Sequence, residues 1–208
     1  MKLFPELIWH FSSREKERQN HVFLTFDDGP TPKVTPWVLD CLREHDALAT
    51  FFCLGRNVDR YPEIYRQILD GGHAVGNHTY SHLKGWKTPN SEYLNDIQLA
   101  NQSIESHLFR PPYGRFSKTQ IRAIRKDYSI VMWDVLSQDY DSSIPPQKCM
   151  ANVEANIRPG SIIVFHDSEK AKGNLYYTLP RVLEKYSGRY EFRPIAGSRE
   201  IPSRRIAV

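Results

Sequence analysis

What the chain lacks narrows its class before any motif is read. It has only three cysteines, Cys41, Cys53 and Cys149. The odd count and the absence of paired spacing argue against a disulfide framework or a thiolate zinc site, and buried free thiols are the expectation. No apolar run is long enough to cross a bilayer. In the opening MKLFPELIWHFSSREKERQN, Pro5, Glu6 and His10 interrupt any stretch that would serve as the apolar core of a secretory signal, so a cytoplasmic location is expected. Neither sign of charge dominates: 28 Lys and Arg stand against 24 Asp and Glu, a formal net charge of +4. That surplus is too mild and too scattered to require nucleic acid, and it suits an anionic glycan or phospholipid surface as well as an ordinary solvated one. Repeats, low-complexity tracts and Gly/Ser linkers are missing too. What remains is a soluble globular composition of 208 residues, 40% hydrophobic and 12% aromatic, enough for one domain of ordinary size.

From His21 onward, short apolar runs alternate with amphipathic stretches. Strands are expected at His21–Asp27, Ala49–Leu54, Gly72–Gly76, His107–Arg110, Ser129–Trp133 and Ser161–His166, with Tyr190–Ile195 as a seventh. Helices are expected at Thr35–Glu44, Pro62–Asp70, Ser91–Glu105 with Ser91 as N-cap, Lys118–Lys126, Pro146–Asn156 and Leu179–Tyr186. Leu3, Phe4, Leu7, Ile8 and Phe11 fit one face of a short leading helix, packed on the domain or resting on a membrane surface. Regular βα alternation implies a mostly parallel sheet with helices outside, open or closed into a barrel. Either form places function at the strand C-termini. The unusual polar residues fall there: Asp27 and Asp28, Asn77 to His82, Arg110 to Tyr113, Asp134 and Asp139, then His166 and Asp167.

Four of these clusters carry chemistry. TFDDGP (Thr25–Pro30) puts two adjacent carboxylates at a strand end, and adjacent side chains of extended backbone point apart. One acid can bind a cation while its neighbour acts as a base; alone, the hexapeptide is also an ordinary Asp-Gly turn. His78 and His82 are spaced so that a helical turn would bring both imidazoles to one ion, and with Asp28 they form a His-His-carboxylate set that leaves a coordination position open. FRPPYGR (Phe109–Arg115) is stiffened by two prolines, so the Tyr113 and Gly114 N–H groups can face an oxyanion and Arg110 can anchor a carboxylate. His166 ends an apolar run, where Asp139 or Asp167 can pair with it and favour the imidazolium. Tyr80, Trp86, Tyr113, Trp133 and Tyr140 offer a sugar-stacking wall, or core.

Together these motifs, in this order over roughly residues 20–195, resemble the polysaccharide deacetylases, the NodB homology domain of carbohydrate esterase family four. The resemblance implies an α/β fold, a distorted (β/α)7-type barrel of mostly parallel strands in a single domain. An N-terminal extension (1–19) would pack on the barrel and a tail (196–208) would follow it. It implies that Asp27 is the catalytic base and that Asp28, His78 and His82 bind a divalent metal, zinc first and cobalt, nickel or manganese as alternatives. Arg110 would tether Asp27, the Tyr113 N–H would stabilise the oxyanion, and His166, tuned by Asp139, would be the general acid. The implied activity is hydrolysis of N-acetyl (less readily O-acetyl) groups on an amino-sugar glycan, releasing acetate, by a monomer without nucleic-acid partners. Pro111, Leu136, Tyr140 and Val164 would touch substrate. Leu136 and Tyr140 stand where the family commonly has an acid and a tryptophan, and Val164 replaces a leucine one methylene larger. Altered preference, not lost activity, is the expectation. Two other readings stay open: a glycan-binding barrel with weak or no catalysis, and a hydrolase of a small non-sugar amide.

Overall fold

The run His21–Asp27 becomes the central strand β2, buried along almost its whole length because the sheet is covered on both faces. The structure is a computed structural model that describes residues 7–12 and 20–196. In chain order it contains β1 (Leu7–Ile8), β2, α1 (Val34–Arg43), β3 (Ala49–Cys53), α2 (Gly55–Arg60), α3 (Pro62–Asp70), β4 (Ala74–Asn77), α4 (Asn90–Ala100) and β5 (Leu108–Phe109). There follow α5 (Lys118–Ile124), β6 (Ser129–Val131), β7 (Val135–Leu136), α6 (Pro146–Glu154), β8 (Ile162–His166), α7 (Lys172–Tyr186) and β9 (Glu191–Phe192). The strands pair in parallel in the order β1-β6-β5-β4-β3-β2-β8-β7, with β9 beside the start of β2. The result is a curled half-barrel of parallel strands with helices outside. Its core includes Phe26, Phe51 and Phe165, whose rings lie within 5.9 Å of Phe26.

The two arms of the sheet are tied by a stretch that hides a strand. The expected strand Ser129–Trp133 stops at Val131, and after Asp134 the same run joins β8 as β7, Val135 pairing with Ile163 and Leu136 with Val164. An apolar run interrupted only by Asp134 gives no turn signal, so the switch of partner is silent in the sequence. One consequence is that Asp134 lies at the foot of β8, accepting from the Ile162 N–H at 2.8 Å, and takes no part in the loop cluster expected of it.

Other boundaries differ for local reasons. Leu7 and Ile8 form a strand against Ile130 and Val131 where a helical face was expected, because the edge of β6 offers a row of unpaired backbone groups. Leu3 and Phe4 lie outside the described residues, as does most of the 196–208 tail. Helix α4 starts at Asn90 after Pro89, so Ser91 sits inside it and is not its cap. It ends at Ala100, and a turn then sends Ile104 into the core. Helix α7 begins seven residues before Leu179 and runs through Pro180, because Leu175, Leu179, Val182, Leu183 and Tyr186 keep one buried face across the proline. Helix α2, short and opened by Gly55, has no apolar period to betray it.

Candidate active site

The C-terminal ends of β2, β4, β5, β7 and β8 meet at one cavity of about 610 Å³. At its floor Asp27, the last residue of β2, is 4% exposed and ion-paired with the guanidinium of Arg110, Nη1 to Oδ1 2.8 Å. A buried charge is tolerated only when paired and hydrogen-bonded, and Arg110, fully buried, meets that condition. It also donates to Thr25 Oγ1 and to the carbonyls of Val131 and Met132, where the chain leaves β6. Phe52 covers the guanidinium face at 4.1 Å. The arginine therefore fills the break between β6 and β7 and presents one oxygen of Asp27 in a fixed place.

Asp28, at φ 79°, turns the other way. Its Oδ1 is buried without a conventional hydrogen-bond partner, with His82 Nε2 at 3.1 Å and His78 Nε2 at 3.7 Å. The His78 ring is fixed from behind by Nδ1 against the Arg110 carbonyl at 2.7 Å, which leaves the Nε2 lone pair facing the cluster. Burial pushes the His78 imidazole down to about 4, so it is neutral near pH 7. Burial works to raise Asp28, but the close His82 imidazole and the charges of His166, His78 and His82 outweigh it and hold the carboxyl well below the usual range. One carboxylate oxygen and two imidazole nitrogens thus converge, all within 4.8 Å of one another. Ligands about 2.0 to 2.2 Å from one tetrahedral ion sit about 3.3 to 3.6 Å apart, close to the 3.1 and 3.7 Å that separate Asp28 Oδ1 from the two Nε2 atoms, so the set fits a divalent cation.

The histidines reach this geometry without a helix. They lie on the loop after β4, where Thr79 and His82 take positive φ, 68° and 62°. Asn77 Oδ1 accepts from the Thr79 N–H, Thr79 Oγ1 from the His82 N–H, and Asp96 of α4 from the Tyr80 and Ser81 N–H groups. A loop so bound at every residue is as good a frame as the helical turn the spacing suggested.

His166 ends β8 as the register partner of Asp27. Its ring Nδ1 is 2.8 Å from Asp139 Oδ1 and its backbone N–H donates to Oδ2 at 2.7 Å. Burial alone would lower this imidazole, but Asp139, with smaller contributions from Asp28 and Asp27, raises it to about 9. Asp139 is itself fully buried, and Ser137 and Asn174 shape the loop that carries it. Asp167 does not join the pair: its carboxylate accepts from the Gly29 N–H at 3.0 Å and from Thr35 Oγ1 at 2.5 Å.

These arrangements have relatives. The family profile described as polysaccharide deacetylase matches residues 14–131, more than half of the chain. The chain belongs to the polysaccharide deacetylase family. It is 35% identical to a peptidoglycan-N-acetylglucosamine deacetylase of Bacillus cereus, over 78% of this chain and 68% of that one. It is 39% identical to a chitooligosaccharide deacetylase of Azorhizobium caulinodans, over 75% and 78%. The crystal structure of a peptidoglycan N-acetylglucosamine deacetylase superposes with a TM-score of 0.77 at 30% identity, covering 89% of each chain. A family 4 carbohydrate esterase from Streptomyces lividans, solved with acetate, gives 0.72 at 29% identity, covering 81% of this chain and 88% of that one.

Of the residues singled out from the family motifs, Asp27, Asp28, His78, His82, Tyr113, Leu136, Tyr140, Val164 and His166 line the cavity, while Arg110 and Asp139 support it from behind. Pro111 does not line it. Pro111 is buried, and its carbonyl takes the Gly114 N–H at 3.0 Å. That bond also spends one of the two N–H groups expected to face an oxyanion and leaves the Tyr113 N–H for that place. Trp86 and Trp133 line the wall with Tyr113 and Tyr140, whereas Tyr80 packs against Gly55. The sequence reading missed Asn57, which donates to the Asp28 carbonyl at 2.7 Å, and Asp96; both signals are single polar residues on helices, visible only once the helices are placed. It also missed Lys84, Arg115 and Lys170, which line the cavity mouth.

Proposed function

We propose that this chain removes N-acetyl groups from the amino sugars of a glycan and releases acetate, with a divalent cation, zinc first, held by Asp28, His78 and His82. The observation that carries the proposal is the placement of an acid outside the three-donor set, Asp27, held by Arg110, beside that set and next to the Asp139-paired imidazole of His166 in one cavity. A cation in that set supplies Lewis acidity toward the amide carbonyl and the attacking water. Asp27, turned to the cavity by Arg110, takes the proton of that water. The Tyr113 N–H faces the oxygen that gains charge. His166, kept protonated by Asp139, gives its proton to the departing sugar amine, so acetate and a free amine leave. The named activities of the relatives, on peptidoglycan N-acetylglucosamine and on chitooligosaccharide, support this substrate class. Leu136 supplies apolar surface in the cavity, and nothing in the catalytic arrangement depends on an acid there. The test is acetate release from N-acetylglucosamine oligomers with and without chelator. Binding without release under every metal supplied would favour the glycan-binding reading instead.

A further inference from the structure

The mouth of the cavity carries charge that the reaction does not use. Among the described residues, Asp27 and Asp28 are the only carboxylates in its lining, and both are engaged, one with Arg110 and one with the imidazole pair. Three cations line the same cavity from three separate loops: Lys84 after the histidine loop, Arg115 after the Pro112–Gly114 turn, and Lys170 after β8. All three are exposed, and among the described residues none makes a salt bridge; Lys170 acts only at longer range on Asp141. Each stands instead over an aromatic ring of the same wall. Lys84 Nζ is 5.5 Å from the Tyr113 centroid, Arg115 Cζ 5.6 Å from Trp86, and Lys170 Nζ 5.6 Å from Tyr140. A ring face steadies a cation without discharging it.

We infer that Lys84, Arg115 and Lys170 select a glycan that carries anionic groups, carboxylate or phosphate, on the sugars flanking the acetylated one. This rests on the deacetylase reading and sharpens its substrate class. A neutral chain seated here can offer these cations only uncharged hydroxyl and carbonyl acceptors in place of water, whereas an anionic chain would pair them with charge-assisted hydrogen bonds. Exposed pairs are individually weak and salt-sensitive, so selection would come from their sum and would fade as ionic strength rises.

The test uses the whole metal-loaded protein and three probes: a neutral N-acetylglucosamine pentamer, the same pentamer oxidised to carboxylates at C6, and the same pentamer phosphorylated at C6. Both acetate release and binding by titration calorimetry are measured. The anionic probes are expected to be preferred by roughly tenfold at low salt, with about twofold of the preference lost for each of Lys84→Met, Arg115→Met and Lys170→Met. The carboxylate and phosphate arms show which anion the mouth takes. A preference near unity that ignores salt and the triple substitution overturns the inference while the deacetylase reading stands. Acetate release from none of the probes overturns that reading, and the binding arm still decides the inference: anionic pentamers binding no tighter than the neutral one would end it.

Discussion

Asp27 and His166 occupy paired positions on the neighbouring strands β2 and β8, and each is held from behind by an opposite charge: Arg110 at 2.8 Å and Asp139 at 2.8 Å respectively. Both side chains reach the same cavity, so a proton acceptor and a proton donor stand side by side. The sheet register sets their spacing, Arg110 holds the Asp27 carboxylate in place, and Asp139 favours the protonated form of the His166 imidazole.

Replacing Asp27 with Asn keeps the shape and removes the base. Acetate release is expected to fall by about a hundredfold to ten-thousandfold, the usual range for a lost general base. Zinc affinity should change little, since Asp27 is not one of the three converging donors. Steady-state kinetics and calorimetric zinc titration on the same preparation check both halves. Unchanged turnover would remove Asp27 from the role.

The His166–Asp139 pair gives a pH signature in the metal-free protein. His166 is raised to about 9 in the folded chain against about 6.5 unfolded. Folding therefore favours the protonated form: the stabilisation is full below about pH 6.5 and is lost as pH rises through about 9. In Asp139→Asn the imidazole should titrate well below 9, and the stability advantage near neutral pH should shrink. NMR titration of the ring in both proteins reads this directly, and an unmoved titration would exclude Asp139 as the cause.

Much of this site was legible because its signals are local. TFDDGP names a strand end and its two acids within one hexapeptide, and FRPPYGR likewise announces a rigid loop. What stayed hidden depends on which distant strands become neighbours. On the residues alone Asp139 and Asp167 were both candidates for His166, and only the family resemblance pointed to Asp139; the pairing of β7 with β8 brings the Asp139 loop over the ring and leaves Asp167 to Gly29 and Thr35. The spacing of His78 and His82 was a true signal with a mistaken cause, since positive φ at Thr79 and His82 produces the same convergence without a helix.

Metal binding is expected to stabilise the fold by mass action. Zinc at about a hundred times its Kd adds about 2.7 kcal/mol to a protein that binds it only when folded. Thermal unfolding of chelator-treated protein, with zinc added back, should show that gain. His78→Ala with His82→Ala should abolish it while leaving the zinc-free transition cooperative. An equal zinc response in the double variant would place the ion elsewhere.

Gly29 marks the tightest constraint beside the site. A Cβ added there would lie 2.0 Å from Asp167 Oδ2 and 2.5 Å from its Cγ. The carboxylate cannot easily retreat, being held by the Gly29 N–H and Thr35 Oγ1 and fully buried. Gly29→Ala is therefore expected to destabilise the protein by about 1 to 3 kcal/mol, the ordinary cost of overpacking a close-packed interior. Asp167→Ala removes the atoms in the way, so the same glycine substitution should cost much less in that background. Residues in contact couple in this manner, and the coupling is measured by denaturant unfolding of the two single variants and the double. Equal costs of Gly29→Ala in both backgrounds would show that the glycine is required for its backbone and not for the approach of Asp167.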